Sequence, residues 1–130
     1  MKVSILVARV LLGLIFFVFG LNGFFGFMEP PPMNEAASSF IGALIDTGYM
    51  LPVLQVIETA CGALLLAGVF VPLALTLLAP IIVNIFFLHV FLDTGNLPLA
   101  MLCVLLEIFL AWAYCGSFSG VLRMHAEVRT

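Results

Sequence analysis

The chain has 130 residues, of which 65% are hydrophobic and 8% are charged, and its formal net charge is -3. Soluble domains use roughly 45–50% apolar and 25% charged residues, so this composition excludes an ordinary soluble domain and indicates an integral membrane protein. The small net charge does not favour a nucleic-acid partner. The lipid bilayer is the expected surrounding, and we expect one membrane domain over residues 1–130.

Four apolar runs are long enough to cross about 30 Å of hydrocarbon at about 1.5 Å per residue. They cover approximately residues 10–28, 50–70, 71–92 and 97–116. The first run lacks a small-residue cleavage site, so we expect it to remain as a span and not to be removed as a signal peptide. The four basic residues lie near the two ends of the chain, which places both termini in the cytoplasm by the positive-inside rule.

The connections between these runs differ in length. The first loop contains three consecutive prolines at residues 30–32, which predict an extended segment, and then a stretch over residues 34–45 with helical periodicity. That stretch is too short to span, and Asn34 is a suitable N-cap, so we predict a helix that lies at the outer interface or folds over the mouth of the bundle. Residues 68–72 and 93–96 predict tight turns. The expected fold is all-α, an integral membrane up-down-up-down four-helix bundle with a short interfacial helix in the first outer loop.

Glycines in two of the predicted spans indicate where helices approach each other. Gly13 and Gly20 share one face of the first span, and Gly62 follows Glu58 by one turn in the second. Small residues at such spacing allow close packing of membrane helices. We therefore assign these three glycines to helix packing.

Five polar side chains interrupt the apolar runs and are the candidate site. They are Asn22, Glu58, Asn84, His89 and Glu107. Counted from the outer helix ends they lie roughly 6 to 15 Å deep, which makes one shared polar cavity in the outer half of the bundle geometrically feasible. An ionised side chain at mid-bilayer costs about 2.5–3.5 kcal/mol, and His89 is the one possible cation at the depth of the glutamates. We therefore expect at least one of Glu58 and Glu107 to be protonated at neutral pH. Ligand binding and proton handling both fit these residues.

Structural roles for the same residues remain open. Either glutamate can be protonated and bonded to a neighbouring helix, His89 can bond to Asp93 one turn later, and asparagines often form interhelical hydrogen bonds. The sequence has no metal-binding spacing and no haem-ligand pair, so we expect no metal and no covalently bound cofactor. The three cysteines fit small apolar packing residues. No autonomous catalytic motif is present, which leaves enzymatic activity undecided.

Two segments resemble the DoxX family of small bacterial membrane proteins with four transmembrane helices. One is Arg9-Val10-Leu11-Leu12-Gly13, continued by Phe16, Gly20 and Gly23, and the other runs from Glu58 through Gly62 to Gly68. The resemblance implies a multi-pass protein of the bacterial inner (cytoplasmic) membrane. Some members are subunits of thiosulfate:quinone oxidoreductase or of other membrane oxidoreductase complexes, which implies quinone as a ligand and a redox partner subunit.

Three functional hypotheses follow. The first is an accessory subunit of a quinone-linked membrane redox system, with a polar cavity for a small or lipidic ligand. The second is a non-enzymatic membrane scaffold or assembly protein whose buried acids fix helix register. The third is a small-solute or proton transporter, which would need a homo-oligomer, and association through the Gly13 and Gly20 face could supply it.

Overall fold

The computed structural model describes residues 1–29 and 32–129, and its regular elements within these ranges are all helical. Four stretches are long and apolar enough to cross a membrane, as predicted. Helix α1 covers Lys2–Phe25, α2 Glu35–Asp46, α3 Met50–Ala67, α4 Val71–Phe91 and α5 Leu97–Ala113. Short 3-10 helices cover Thr94–Asn96 and Cys115–Phe118. The prediction of an extended proline triplet falls largely on Pro30 and Pro31, which lie outside the described residues.

Glycines end two of the spanning helices earlier than hydropathy predicts. Helix α1 ends at Phe25 and not near residue 28, because Gly26 adopts the left-handed conformation (φ 63°) and donates its N–H to the Asn22 carbonyl. Helix α3 ends at Ala67 and not at residue 70, because Gly68 is also left-handed (φ 77°) and donates its N–H to the Leu64 carbonyl. These conformations are open to glycine without a Cβ penalty, so each glycine fixes a helix end inside an apolar run.

The first residue of α1 and the last residue of α5 also differ from the limits of the apolar runs that predicted these helices. Helix α1 begins at Lys2, well before residue 10, since a helix can continue beyond the hydrocarbon through polar residues such as Ser4 and Arg9. Helix α5 ends at Ala113, and the chain continues as the 3-10 helix, in which Ser117 donates to the Tyr114 carbonyl at 2.9 Å. Apolar composition therefore locates a spanning helix but not its terminal turns.

Helix α2 forms where the sequence predicts a short helix. Asn34 is its N-cap, and the Asn34 side chain accepts from the Ala37 N–H at 2.9 Å. The Asn34 amide also donates to the Leu92 carbonyl at the end of α4, and the Asn96 amide donates to the Pro32 carbonyl at 3.2 Å. These two bonds tie the segment before α2 to the connection between α4 and α5.

Helices α1 and α3 form the most extensive contact between two elements. A Cβ on Gly13 would lie 2.9 Å from the Leu65 Cβ, and one on Gly62 would lie 2.8 Å from the Gly13 carbonyl oxygen. A Cβ on Gly20, seven residues later in α1, would collide with Thr59, which comes earlier in α3 than Leu65. Contacts therefore move toward lower residue numbers in α3 as they move toward higher residue numbers in α1. The two helices are therefore antiparallel. The Gly13 and Gly20 face is covered by α3 of the same chain, which removes the face proposed for oligomerisation.

The remaining contacts place the other spanning helices around this pair. Helix α4 packs on α3 and on α5, and α5 returns to α1. Fully buried leucines from all four helices fill the centre: Leu12, Leu65, Leu75, Leu78 and Leu110. Many apolar side chains on the outside of the bundle remain exposed, for example Leu105 and Ile108 on α5, as a lipid-facing surface requires.

Candidate functional site: two cavities that meet at Glu58, and a third at Glu107

Two adjoining cavities open beside Glu58. The first, which we call the α2 cavity, has a volume of about 520 Å³ and lies between α2, α3 and α4, with Phe19 of α1 at its edge. The second, the His89 cavity, has a volume of about 270 Å³ and lies between α1, α4 and α5. Phe19, Glu58 and Ile85 line both cavities. Glu58 is therefore the polar group at the junction of two spaces in the bundle.

The walls of the α2 cavity are mainly apolar. Leucine, isoleucine, phenylalanine and proline side chains form most of the lining, and α2 contributes Phe40, Ile41 and Leu44. The polar contributions come from Gln55, Glu58 and Asn84. Large apolar walls with a few convergent polar groups are typical of small-molecule sites, and this volume falls within their usual range of about 300–1,000 Å³.

His89 lies in the second cavity, and one of its ring nitrogens is already used. Its Nδ1 lies 2.8 Å from the Ile85 carbonyl oxygen. A carbonyl can only accept, so this contact assigns the proton to Nδ1 and leaves Nε2 of the neutral ring as an acceptor. The structure does not contain the bond from His89 to Asp93 that the sequence allowed: His89 contacts the Ile85 carbonyl, and the Asp93 carboxylate accepts from the Gly95 N–H and the Asn96 amide, each at 3.2 Å.

The two candidate asparagines have different surroundings. Asn84 lines the α2 cavity, where its amide can serve a ligand. Asn22 lines neither cavity beside Glu58. Its Oδ1 accepts from the Met28 N–H at 2.7 Å, which stabilises the end of α1 and the turn that follows. Asn22 thus has a local structural role. Its side chain bonds to the turn that follows α1 and not, as the sequence allowed, to another helix.

Glu107 lies in a separate cavity of about 410 Å³, which we call the Glu107 cavity. Helices α4 and α5 form its sides, and the chain after α5 contributes Cys115, Phe118, Val121 and Leu122. The Glu107 Oε2 atom is buried without a hydrogen-bond partner among the described residues. The structure thus divides the predicted polar residues into two groups: Glu58, His89 and Asn84 border adjoining spaces, while Glu107 faces another.

Three further polar residues line these cavities and were not among the predicted site residues. Gln55 lies one turn before Glu58, a spacing that puts both on one face of α3 and could have indicated it. Asn96 reaches the His89 cavity from the turn after α4, and Thr76 lines the Glu107 cavity. The sequence carries no signal for the last two, since their positions depend on how α4 and α5 pack.

The cysteines separate into buried and exposed positions. Cys61 and Cys103 are buried and Cys115 is exposed, and all three are free thiols. Cys103 lies within electrostatic range of Glu58, and Cys61 within range of Glu107. Among the described residues, no group of three or more histidine, cysteine, aspartate or glutamate side chains is arranged to hold a metal ion.

Arg9 belongs to the sequence pattern of α1 and lies at the α1–α3 contact. A Cβ on Gly68 would approach the Arg9 guanidinium to 2.5 Å at Nη1, so the side chain lies against the turn after α3. Its Nε is buried and has no hydrogen-bond partner within the described part of the chain. Glycine at position 68 therefore allows the left-handed conformation that ends α3, and its lack of a Cβ leaves space for the Arg9 guanidinium.

Comparison with known proteins adds one match. The DoxX family model matches residues 4–90, which include α2, α3 and nearly all of α1 and α4. No curated protein and no solved structure matches the chain. Glu58 lies inside the matched range, whereas Glu107 and α5 lie outside it. Since the match covers more than half of the sequence, the chain is a membrane protein that belongs to the DoxX family.

Proposed function

We propose that this protein is an accessory subunit of a quinone-linked redox system in the bacterial cytoplasmic membrane, and that it holds a quinone or a similar lipidic ligand beside Glu58. One observation carries the proposal: Glu58 is the shared polar wall of two adjoining and otherwise mainly apolar cavities. In this proposal both termini face the cytoplasm, and electrons reach the ligand from a partner subunit.

The lining residues suit the chemistry of a quinone. A quinone ring and its prenyl tail are apolar and match the leucine, isoleucine and phenylalanine walls, while the ring carbonyl oxygens need hydrogen-bond donors. A protonated Glu58 and the Asn84 amide can donate to those oxygens. The reduced ligand carries hydroxyl groups, and the Nε2 atom of His89 is the acceptor that such a group requires.

Binding of a short-chain quinone analogue tests the proposal. Purified protein in lipid nanodiscs is titrated with a radiolabelled analogue, and the wild type is compared with Glu58→Gln and Glu107→Gln. A further variant, Glu58→Leu, removes the hydrogen-bond donor that glutamine would keep, and we expect it to weaken binding by about tenfold, the equivalent of about 1.4 kcal/mol. Glu107→Gln should bind like the wild type, because Glu107 lines a different cavity.

The same titration separates the site from the scaffold hypothesis. If Glu58→Leu binds the analogue as tightly as the wild type, the quinone proposal is wrong. Unchanged binding together with a lowered melting temperature would support the scaffold role, in which the buried acid only fixes the packing of α3. Circular dichroism of each sample checks that the compared variants keep the α-helical content of the wild type.

A further inference from the structure

We infer that the Glu107 cavity is a second binding site, and that its ligand is a lipophilic amine with a single alkyl chain. Glu107 and the lining residues that follow it lie outside the part of the chain that the family model matches, whereas Leu75, Thr76 and Ala79 lie inside it. The cavity shares no lining residue with the cavities beside Glu58. It is therefore independent of the proposed quinone site in position and in composition.

The polar atoms of this cavity call for a hydrogen-bond donor. Glu107 lines the cavity, its Oε2 atom is buried without a partner, and no hydrogen bond joins its carboxyl group to another described residue. A ligand in the cavity that donates to the accessible part of this carboxyl group therefore supplies a partner that the described residues do not. The Thr76 hydroxyl donates to the Pro72 carbonyl at 2.8 Å, so its oxygen can only accept from a ligand. The two groups together form an acceptor pair on an otherwise largely apolar wall.

A cationic amine meets this requirement. Its ammonium group donates to the Glu107 carboxylate in a charge-assisted hydrogen bond, which a neutral alcohol of the same chain length cannot form. Lysine, arginine and histidine side chains do not line the cavity within the described residues, so a cationic ligand meets no like charge there.

The rest of the cavity selects an alkyl chain. Leu75 and Ala79 line one side, and Val121 and Leu122 line the other, with both of the latter largely exposed at 76% and 79%. A flexible alkyl chain fits between these side chains and gains van der Waals contact with both walls of the groove. The head group near Glu107 and the chain along this groove together define a small amphipathic amine.

Photolabelling with a diazirine-bearing alkylamine tests the inference directly. The protein is held in phosphatidylcholine nanodiscs, irradiated with the probe, digested and mapped by mass spectrometry. We expect labelled peptides from α4 near Ala79 and from the segment containing Val121. Decylamine should compete with the label, whereas decanol of the same chain length should compete at least about tenfold less well, since it cannot carry a positive charge.

Two variants distinguish this site from the proposed quinone site. Glu107→Gln should reduce labelling at least about tenfold, and Ala111→Leu should reduce it by filling the cavity while Glu107 is retained. Glu58→Gln should label like the wild type. Equal competition by decanol and decylamine, or wild-type labelling in both Glu107→Gln and Ala111→Leu, would overturn the inference. Quinone binding by Glu107→Gln is measured in parallel, so failure of one site is separable from failure of the other.

Discussion

At the scale of single residues, the contact between Gly13 and Gly62 determines how closely α1 and α3 approach. Backbone atoms of α1 occupy the space in which a side chain at position 62 would lie, since an added Cβ would meet the Phe17 nitrogen and the Gly13 carbonyl. Backbone cannot rotate away as a long side chain can. We expect Gly62→Ala to destabilise the bundle by about 1–3 kcal/mol, the usual cost of overpacking.

Gly42→Ala is the matched control for this prediction. Gly42 lies in α2, where an added Cβ has no atom within 4 Å, and both substitutions gain the same helix propensity. Thermal unfolding in detergent, followed by circular dichroism, should give a lower melting temperature for Gly62→Ala and an equal or higher one for Gly42→Ala. Equal melting temperatures for the two variants would show that the α1–α3 contact can relax at no cost.

The two glutamates show which part of a site can be predicted from sequence. Their depth follows from counting turns inward from the helix ends, and that count places Glu58 and Glu107 at similar heights. Their direction depends on which helices pack beside α3 and α5. Glu58 faces the spaces bordered by Asn84 and His89, while Glu107 faces α4 and the chain after α5. The sequence therefore predicts a depth for each glutamate, but it does not predict that the two side chains line different cavities.

At the scale of elements, α2 is held by few contacts outside its own hydrogen bonds. It packs against α3, and Asn34 joins its start to the end of α4. Asn34→Ala removes both the N-cap and this bond, and loss of an N-cap costs about 1 kcal/mol. We expect the amide hydrogens of the first turn of α2 to exchange about fivefold faster in this variant.

Asn34→Asp separates the two roles of this side chain. Its carboxylate can still accept from the Ala37 N–H, but it lacks the amide donor that reaches the Leu92 carbonyl. Hydrogen exchange measured by mass spectrometry should therefore place Asn34→Asp between the wild type and Asn34→Ala. Wild-type exchange in Asn34→Ala would mean that packing against α3, and not the cap, holds the helix.

The existence of the five α-helices was predictable because the sequence carries a signal for each of them. Hydropathy located the four spanning helices, and the N-cap at Asn34 with its periodic apolar residues located α2. Helix ends were less predictable, since Gly26 and Gly68 lie within or beside apolar runs and end their helices through backbone conformation. The role of α2 as a wall of the cavity beside Glu58 depends on packing that local sequence does not encode.

At the scale of the whole molecule, the orientation in the membrane remains a prediction from the basic residues near the two ends. In a variant without native cysteines, Thr47→Cys places a thiol in the connection between α2 and α3, and Ser119→Cys places one after the 3-10 helix. Both positions are exposed. The positive-inside rule predicts that a membrane-impermeant maleimide labels only Thr47→Cys in intact spheroplasts. Labelling of Ser119→Cys without permeabilisation would reverse the orientation.

The arrangement of the bundle gives the protein two polar spaces of different construction. One is enclosed by α2 and centred on Glu58, within the part of the chain that defines the family. The other lies between α4 and α5 and is centred on Glu107. An inert scaffold does not require either, whereas a ligand-binding subunit requires at least the first.

A density map of the protein in nanodiscs, prepared with a saturating short-chain quinone, tests the central claim most directly. The account predicts a ring-shaped density between Phe19 and Ile85, with one oxygen within hydrogen-bonding distance of the Glu58 carboxyl group. A well-resolved map in which both cavities beside Glu58 are filled by side chains or lipid, with the quinone elsewhere, would contradict it.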